Sequence, residues 1–206
     1  DKKDLGCHTG TISDAFLELY KAGKLTNAHK ELDTGLSAWN LAMGSQELYD
    51  WLDAEPQLFH PGDLDYIHSV ERISKLSNVI SINGGVQLDL MGQENAESTG
   101  TRQLSGVGGQ MDFLEGAYRS KGGKGFICIN SSRVTKDGER KSNILAAIPG
   151  GSTISAPRTM IQYVATEYGI ASLFGKTLRE RAEAMASIAH PDFREELMKY
   201  AQENFK

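Results

Sequence analysis

Short apolar runs alternate along the chain with segments in which apolar residues recur every three or four positions. This pattern predicts short strands that alternate with helices. Residues 5–8 are expected to form a strand that leads into a helix, which Gly23 is placed to end in a left-handed turn. The residues expected on the buried face of that helix are Ile12, Phe16, Leu19 and Tyr20. A second strand is expected at residues 39–43, followed by a helix over residues 46–52.

The sequence Asn-Gly-Gly at residues 83–85 is typical of a β-hairpin turn. Apolar runs at residues 78–82 and 86–90 flank it, and its residues tolerate positive φ. In the second run, apolar residues alternate with Gln87 and Asp89, which predicts a strand with one apolar and one polar face. Later strands are expected at residues 125–130, 144–148 and 161–166.

The carboxy-terminal part of the chain predicts two helices. Thr177 and Glu180 have the spacing of a capping box, and an apolar stripe follows them. Pro191 ends the first helix and is suited to start the second. Because there is no repeat or linker, we expect one domain over residues 1–206. Its expected fold class is α/β, a single layered domain with a mixed sheet flanked by helices.

Composition and charge exclude several function classes. The hydrophobic fraction of 39% is typical of a globular protein, and the net charge of −5 argues against a nucleic-acid partner. No run approaches the roughly 18 apolar residues that cross a bilayer, and no secretory signal follows Asp1, so no membrane association is expected. Cys7 and Cys128 are expected to be free thiols in a cytoplasmic protein. The histidines lack the spacing of metal ligands, so no metal is expected.

Glycines are concentrated in residues 105–113, which read Ser-Gly-Val-Gly-Gly-Gln-Met-Asp-Phe. They remove side chains that would keep a ligand from the backbone N–H groups, and the apolar positions that follow predict a helix whose amino end favours an anion. A phosphate or a developing oxyanion would suit this loop, and a purely structural loop is the alternative. Met111 rules out a dinucleotide fingerprint, because it replaces the third glycine. Basic residues at 120–124 and 131–136 are candidates for phosphate contacts or for a solvated surface.

Several segments together resemble the acetyl-CoA hydrolase/transferase family of class I CoA transferases. The branch that they resemble most contains the 4-hydroxybutyrate and butyrate–acetate CoA transferases. The matching segments are residues 4–9, 81–83, 88–93, 95–98, 106–113, 164–169, 176–179 and 189–193. Members of this family consist of two related α/β domains. The resemblance therefore implies that residues 1–206 are the carboxy-terminal domain, and that an amino-terminal half or a separate subunit supplies the rest.

The resemblance also implies a mechanism and a site. In the family, a Glu carboxylate attacks an acyl-CoA thioester to give a mixed anhydride, and the released CoA thiolate then attacks the glutamyl carbonyl, which gives a glutamyl-CoA thioester and the free acid. A second carboxylic acid takes the CoA by the reverse steps. That Glu lies in a His-Ser/Thr-Glu motif, which here reads His8-Thr9-Gly10, so position 10 has no nucleophile. The residues that match the CoA-contacting positions are Gly106, Val107, Gly108, Gly109, Gln110 and Lys136.

Three functions remain open at this point. The first is a CoA-transferase domain whose transferase activity is absent or altered. The second is an acyl-CoA thioester hydrolase, in which His8 orients a water, although a packed histidine is the alternative. The third is a non-catalytic acyl-CoA-binding or scaffold domain. Glu167 is a further catalytic candidate, with a structural hydrogen-bonding role as its alternative. The expected partners are an acyl-CoA, a small carboxylate and further copies of the chain in a homo-oligomer.

Overall fold

The structure, a computed structural model, describes residues 1–205. The chain forms two compact units, one of Asp1–Val79 and Gly116–Gly123 and the other of Ile80–Glu115 and Lys124–Lys206. Both combine strands with helices, so the predicted α/β class is confirmed.

The first unit is built on a parallel sheet with strand order β1-β2-β3. Helices link its strands, as parallel neighbours require. Its elements are β1 (His8–Ile12), α1 (Asp14–Lys21), β2 (Ser37–Ala42), α2 (Gln46–Ala54), a 3-10 turn (Pro56–Leu58), β3 (Phe59–Pro61), α3 (Leu64–Ile67) and α4 (Val70–Lys75). Its core contains Cys7, Ile12, Leu17, Leu25, Leu48, Trp51 and Phe59. Cys7 is a free thiol, as is the exposed Cys128 in the other unit.

The prediction for the first strand and helix was wrong in its boundaries. The strand begins at His8, and Ile12 lies in β1, paired with Ala42, where the prediction placed it on the helix. β-Branched residues at positions 9, 11 and 12 favour extended backbone, so the helix begins after Ser13, a residue type preferred at helix starts. Gly23 adopts φ +64° after the helix, as predicted.

Within residues 1–205, the second unit contains two larger sheets and two sheets of two strands each. A four-stranded sheet has the order β14-β13-β9-β4, and a three-stranded sheet has the order β12-β5-β6. The elements are β4 (Ile80–Gly84), β5 (Gln87–Asp89), β6 (Glu94–Asn95), β7 (Ser98–Thr99), β8 (Arg102–Gln103), α5 (Gln110–Arg119), β9 (Lys124–Cys128), β10 (Ser132–Val134), β11 (Arg140–Ser142), β12 (Ile144–Leu145), β13 (Tyr163–Thr166), β14 (Gly169–Ser172), α6 (Leu178–Ser187) and α7 (Pro191–Asn204). α5 begins in this unit and ends in the first.

The predicted hairpin at residues 83–85 is wrong. β4 pairs in parallel with β9, whereas β5 pairs with β12 and β6, so the chain passes from one sheet to the other at this point. Neither Asn83 nor Gly84 has the positive φ that a tight hairpin turn needs. Gln87 and Asp89 lie on one face of β5, opposite Leu88, and all three residues are buried.

The carboxy-terminal helices confirm the prediction. Thr177 and Glu180 form a reciprocal capping box before α6, and Pro191 is the first residue of α7. Strands 144–148 and 161–166 are shorter than expected, at β12 and β13. Within residues 1–205, no helix is both long and apolar enough to span a membrane.

Candidate functional site

The predicted site residues belong to both units. His8 and Gly10 lie in the first unit, whereas residues 106–110, Lys136 and Glu167 lie in the second. Within residues 1–205, no group of three or more His, Cys, Asp or Glu side chains is placed to hold a metal ion.

Gly10 is a half-buried residue in the middle of β1, just before α1. Side chains alternate across a strand, so a side chain at position 10 would share the face of His8 and Ile12, opposite Thr9. Glycine has no side chain, so this part of the sheet has no carboxylate, hydroxyl or imidazole to offer at position 10. The strand itself is well formed, with Thr9 and Thr11 paired to Trp39 and Leu41 of β2.

The side chain of His8 links β1 to α3 within the first unit. Its Nε2 lies 2.8 Å from the carbonyl oxygen of Ile67, in α3. Burial lowers the pKa of His8, although the hydrogen bond to Ile67 opposes that effect. The imidazole is therefore neutral near pH 7, which is the state required of a general base.

A polar cluster that the sequence gave no reason to expect lies on the same sheet face as His8. His8 pairs with Ala38 and Ala38 pairs with His60, so the three side chains form one row. The Oδ1 atom of Asp33 accepts hydrogen bonds from His60 Nδ1 and from the Tyr66 hydroxyl, each 2.8 Å long. Burial alone would raise the pKa of Asp33, but these two hydrogen bonds bring it below its usual value. Asp33 precedes β2, His60 lies in β3 and Tyr66 lies in α3, so the packing of three separate segments forms the cluster.

Residues 106–109 form a surface loop between β8 and α5. Within residues 1–205, the N–H groups of Gly106, Val107 and Gly108 donate no backbone hydrogen bond. Gly108 has φ +61°, and a Cβ atom added to Gly106 or Gly108 would meet nothing within 4 Å. The helix expected after the loop begins at Gln110, and Phe113 N donates to Gly109 O over 3.2 Å. The loop thus offers donors and open space to an anion, which is the chemistry predicted for it.

Two carboxylate side chains next to the loop, those of Glu94 and Glu97, were not predicted to lie together. Glu94 is fully buried in β6, and its Oε2 atom accepts a hydrogen bond from Gln110 Nε2 over 2.9 Å. Glu97 lies three residues on, and its Oε1 atom accepts a hydrogen bond from Ser155 Oγ over 3.1 Å. The sequence contains no signal for Glu94, because a glutamate in an otherwise polar stretch predicts an exposed side chain.

Lys136 and Glu167 lie in separate turns. Lys136 is exposed in the β10–β11 hairpin, two residues before Gly138 with φ +81°. Glu167 lies in the turn between β13 and β14 and accepts hydrogen bonds from the N–H and hydroxyl of Ser131. A shallow depression along α7 contains none of the predicted residues; it is lined by Pro191, Arg194, Glu195, Met198, Lys199 and Gln202.

Comparison with known proteins decides the family. A family model described as the acetyl-CoA hydrolase/transferase C-terminal domain matches residues 44–201. This chain belongs to the acetyl-CoA hydrolase/transferase family. The resemblance and the branch expected from the sequence are confirmed by the relatives below.

Two curated transferases and one crystal structure illustrate the match. The butyryl-CoA:acetate CoA-transferase of Anaerostipes caccae is 44% identical over 202 residues, which cover 98% of this chain and 45% of the relative. The 4-hydroxybutyrate coenzyme A transferase of Clostridium kluyveri is 44% identical over 205 residues, covering 100% of this chain and 47% of the relative. The crystal structure of RipA from Yersinia pestis superposes with a TM-score of 0.88 at 39% identity, covering 98% of this chain and 44% of that one. This acetyl-CoA hydrolase/transferase family chain spans less than half the length of these relatives.

Proposed function

We propose that this chain is the acyl-CoA-binding carboxy-terminal part of a CoA-transferase-family protein, and that no glutamyl-CoA intermediate forms at residue 10. The observation that carries the proposal is Gly10 itself. It lies in β1, two residues after His8 and just before α1, which is where the family resemblance puts the attacking Glu. Without a carboxylate there, the two half-reactions of a ping-pong transferase have no covalent carrier at this position.

The surface loop of residues 106–109, the glycine loop, supports the acyl-CoA part of the proposal. Its N–H groups at residues 106–108 have no backbone acceptor within residues 1–205, and its glycines leave the approach to them open. Gly109 and Gln110 complete this binding segment at the amino end of α5, where the helix dipole favours a negatively charged group. We assign Lys136 as a basic contact to the same ligand, since a point charge on a flexible stem suits a phosphate.

The proposed partners follow from the length of the relatives. Since the matched region is 45% of the Anaerostipes caccae transferase, we propose that an amino-terminal half, on the same or a separate polypeptide, completes the site. A small carboxylate is the proposed acceptor, and the proposed setting is a cytoplasmic homo-oligomer.

Thioester hydrolysis is the second candidate function. His8 is neutral at pH 7 because burial lowers its pKa, and it shares a strand face with the empty position 10. A water in the space of the missing carboxylate would lie on the side of the strand that carries a base. A non-catalytic binding or scaffold domain, whose site has diverged at more than residue 10, is the third possibility. Incubation with acyl-CoA separates hydrolysis from the other two functions, and Gly10→Glu separates those two.

The test is incubation with butyryl-CoA, with and without acetate, and with hydroxylamine as a trap. Saturable binding without turnover is expected for the leading proposal. Free butyrate released without acetate would establish hydrolysis, and a glutamyl-CoA adduct on any residue would overturn the proposal. Gly10→Glu is expected to create CoA transfer to acetate when the amino-terminal half is supplied. Thr9→Glu is the matched control, because it places the carboxylate on the opposite face of β1.

A further inference from the structure

Glu94 is held rigidly by its backbone. Leu88 of β5 pairs with it, and its N–H donates to Ala156 O over 3.0 Å. Its carbonyl oxygen accepts from Ser155 N over 2.8 Å. Because the N–H and the carbonyl group of Glu94 are both hydrogen-bonded and the residue has no exposed surface, the backbone position from which its side chain extends is fixed.

The two carboxyl oxygens of Glu94 have very different surroundings. Oε2 accepts the hydrogen bond from Gln110, whereas Oε1 is buried and has no hydrogen-bond partner within residues 1–205. A Cβ atom placed on Gly85 would lie 2.8 Å from Oε1, and 3.0 and 3.2 Å from methyl carbons of Ile129 and Ile127. Oε1 therefore occupies space that the missing side chain of Gly85 leaves beside two isoleucines. A charged oxygen is costly in such a place, because nothing there replaces its hydration.

The neutral form of Glu94 is favoured for that reason. Burial raises the pKa of Glu94 to about 7, the hydrogen bond from Gln110 opposes the rise, and the negative charge of Glu97 adds to it. The neighbouring elements carry other charged residues, Asp89 on β5, Asp112 on α5 and Lys124 on β9.

The segment that carries Glu94 holds the glycine loop at both ends. At the entry, Glu97 O accepts from Leu104 N over 2.7 Å and from Ser105 N over 3.3 Å. At the exit, the Glu94 side chain holds Gln110, the first residue of α5. The conformation of residues 104–110 thus depends on a contact made by a carboxyl group that can gain or lose a proton.

We propose that Glu94 is a positioning residue that sets the glycine loop for acyl-CoA through its hydrogen bond to Gln110, and that the loop is held more tightly when Glu94 ionises. The inference rests on the proposed function for its ligand, although the link between Glu94 and the loop does not. The ionised carboxylate is a stronger hydrogen-bond acceptor than the neutral carboxyl group, which is why the bond from Gln110 lowers the pKa of Glu94.

The first test needs no ligand. The side-chain amide resonance of Gln110, assigned by its loss in Gln110→Leu, is followed by NMR from pH 5.5 to 8.5 in the 206-residue chain. A shift with a midpoint near 7 is expected for the wild type and none for Glu94→Gln. Glu97→Gln is the matched control and is expected to move the midpoint to lower pH, since the Glu97 charge is then absent. A wild-type signal that does not titrate in this range would overturn the proposal.

The second test measures the affinity for butyryl-CoA at pH 6 and pH 8 by calorimetry. Affinity is expected to rise about fivefold from pH 6 to pH 8 in the wild type, because a hydrogen bond to the ionised carboxylate is roughly twice as strong as one to the neutral group. Glu94→Gln is expected to bind equally at both pH values. Equal affinities in the wild type would overturn the positioning role. If Gln110 titrates but butyryl-CoA binds at neither pH, then the acyl-CoA ligand is wrong, and the proposed function fails with it.

Discussion

Glu167 accepts two hydrogen bonds from Ser131, one from the backbone N–H over 2.9 Å and one from the hydroxyl over 2.6 Å. Both carboxyl oxygens are thus committed to fixing the segment after β9 to the turn between β13 and β14. This geometry favours the structural role that the sequence analysis offered as the alternative to catalysis. The catalytic role of Glu167 stays an untested prediction.

Glu167→Gln is expected to lower the free energy of unfolding at pH 7 by about 1 kcal/mol, the usual worth of such a hydrogen bond. Burial would raise the pKa of Glu167, but the bonds from Ser131 outweigh it and lower the pKa. The stabilisation is therefore present above the unfolded pKa and lost as pH falls through the folded value. Urea unfolding at pH 7 and pH 3 should show a difference from wild type at the higher pH alone. Glu196→Gln, at an exposed position on α7, is the control. A loss of activity with unchanged stability would instead favour catalysis.

Glu94 predicts the opposite dependence on pH. Its pKa rises from 4.5 to about 7 on folding, so the folded state keeps a proton that the unfolded state has released. The associated stability is fully present below 4.5 and is lost as pH rises through about 7, a change of about 3 kcal/mol. The stability of the wild type relative to Glu94→Gln should accordingly fall between pH 4.5 and pH 8, as measured by urea unfolding. A difference that is constant with pH would show that Glu94 is ionised throughout.

Gly106→Ala is expected to change the affinity for butyryl-CoA without changing the stability of the fold. An added Cβ meets no atom within 4 Å and the φ of Gly106 is not positive, so stability should change by less than about 0.5 kcal/mol. Affinity for butyryl-CoA should nevertheless fall, since the methyl group would stand beside the backbone donors. Gly108→Ala should cost about 1 kcal/mol of stability as well, because of its φ of +61°. Gly175→Ala, with φ +71° and open space, should show that strain without the loss of affinity.

Arg181 is predicted to be essential for the second unit. It is buried on α6 and donates to three carbonyl oxygens, those of Met91, Leu173 and Arg158, over 2.7–2.8 Å. Arg181→Met leaves all three carbonyls without a donor and should cost roughly 3 kcal/mol or more. Arg179→Met, which removes an exposed ion pair with Glu183, should cost less than about 0.5 kcal/mol. Thermal unfolding measures both, and equal effects of the two variants would contradict the prediction.

Local sequence signals located most helices and strands because their causes are local. The capping box at Thr177 and Glu180 needs only residues three apart, and Pro191 starts a helix by its own geometry. The Asn-Gly-Gly hairpin signal at residues 83–85 failed because β5 found partners in β12 and β6. Pairing of that kind depends on residues far away in the sequence, and turn chemistry does not reveal it.

The candidate site likewise contains one feature with a local sequence signal and others that depend on distant residues. The glycine loop was predicted from composition, and its position before α5 follows from the pattern of apolar residues after it. The contact between Glu94 and Gln110 joins residues 16 positions apart through a burial that the polar sequence around Glu94 does not indicate. The Asp33–His60–Tyr66 cluster likewise joins Asp33 to side chains 27 and 33 positions further along the chain.

The attachment of residues 104–110 at both ends has a mechanical consequence. A segment with one free end sweeps through a wide arc, but a segment fastened at Glu97 and at Glu94 can only bow outward or flatten. Its amide protons therefore have a narrower range of directions than those of a segment anchored at one end. Less orientational entropy would then be lost when an anion binds to them.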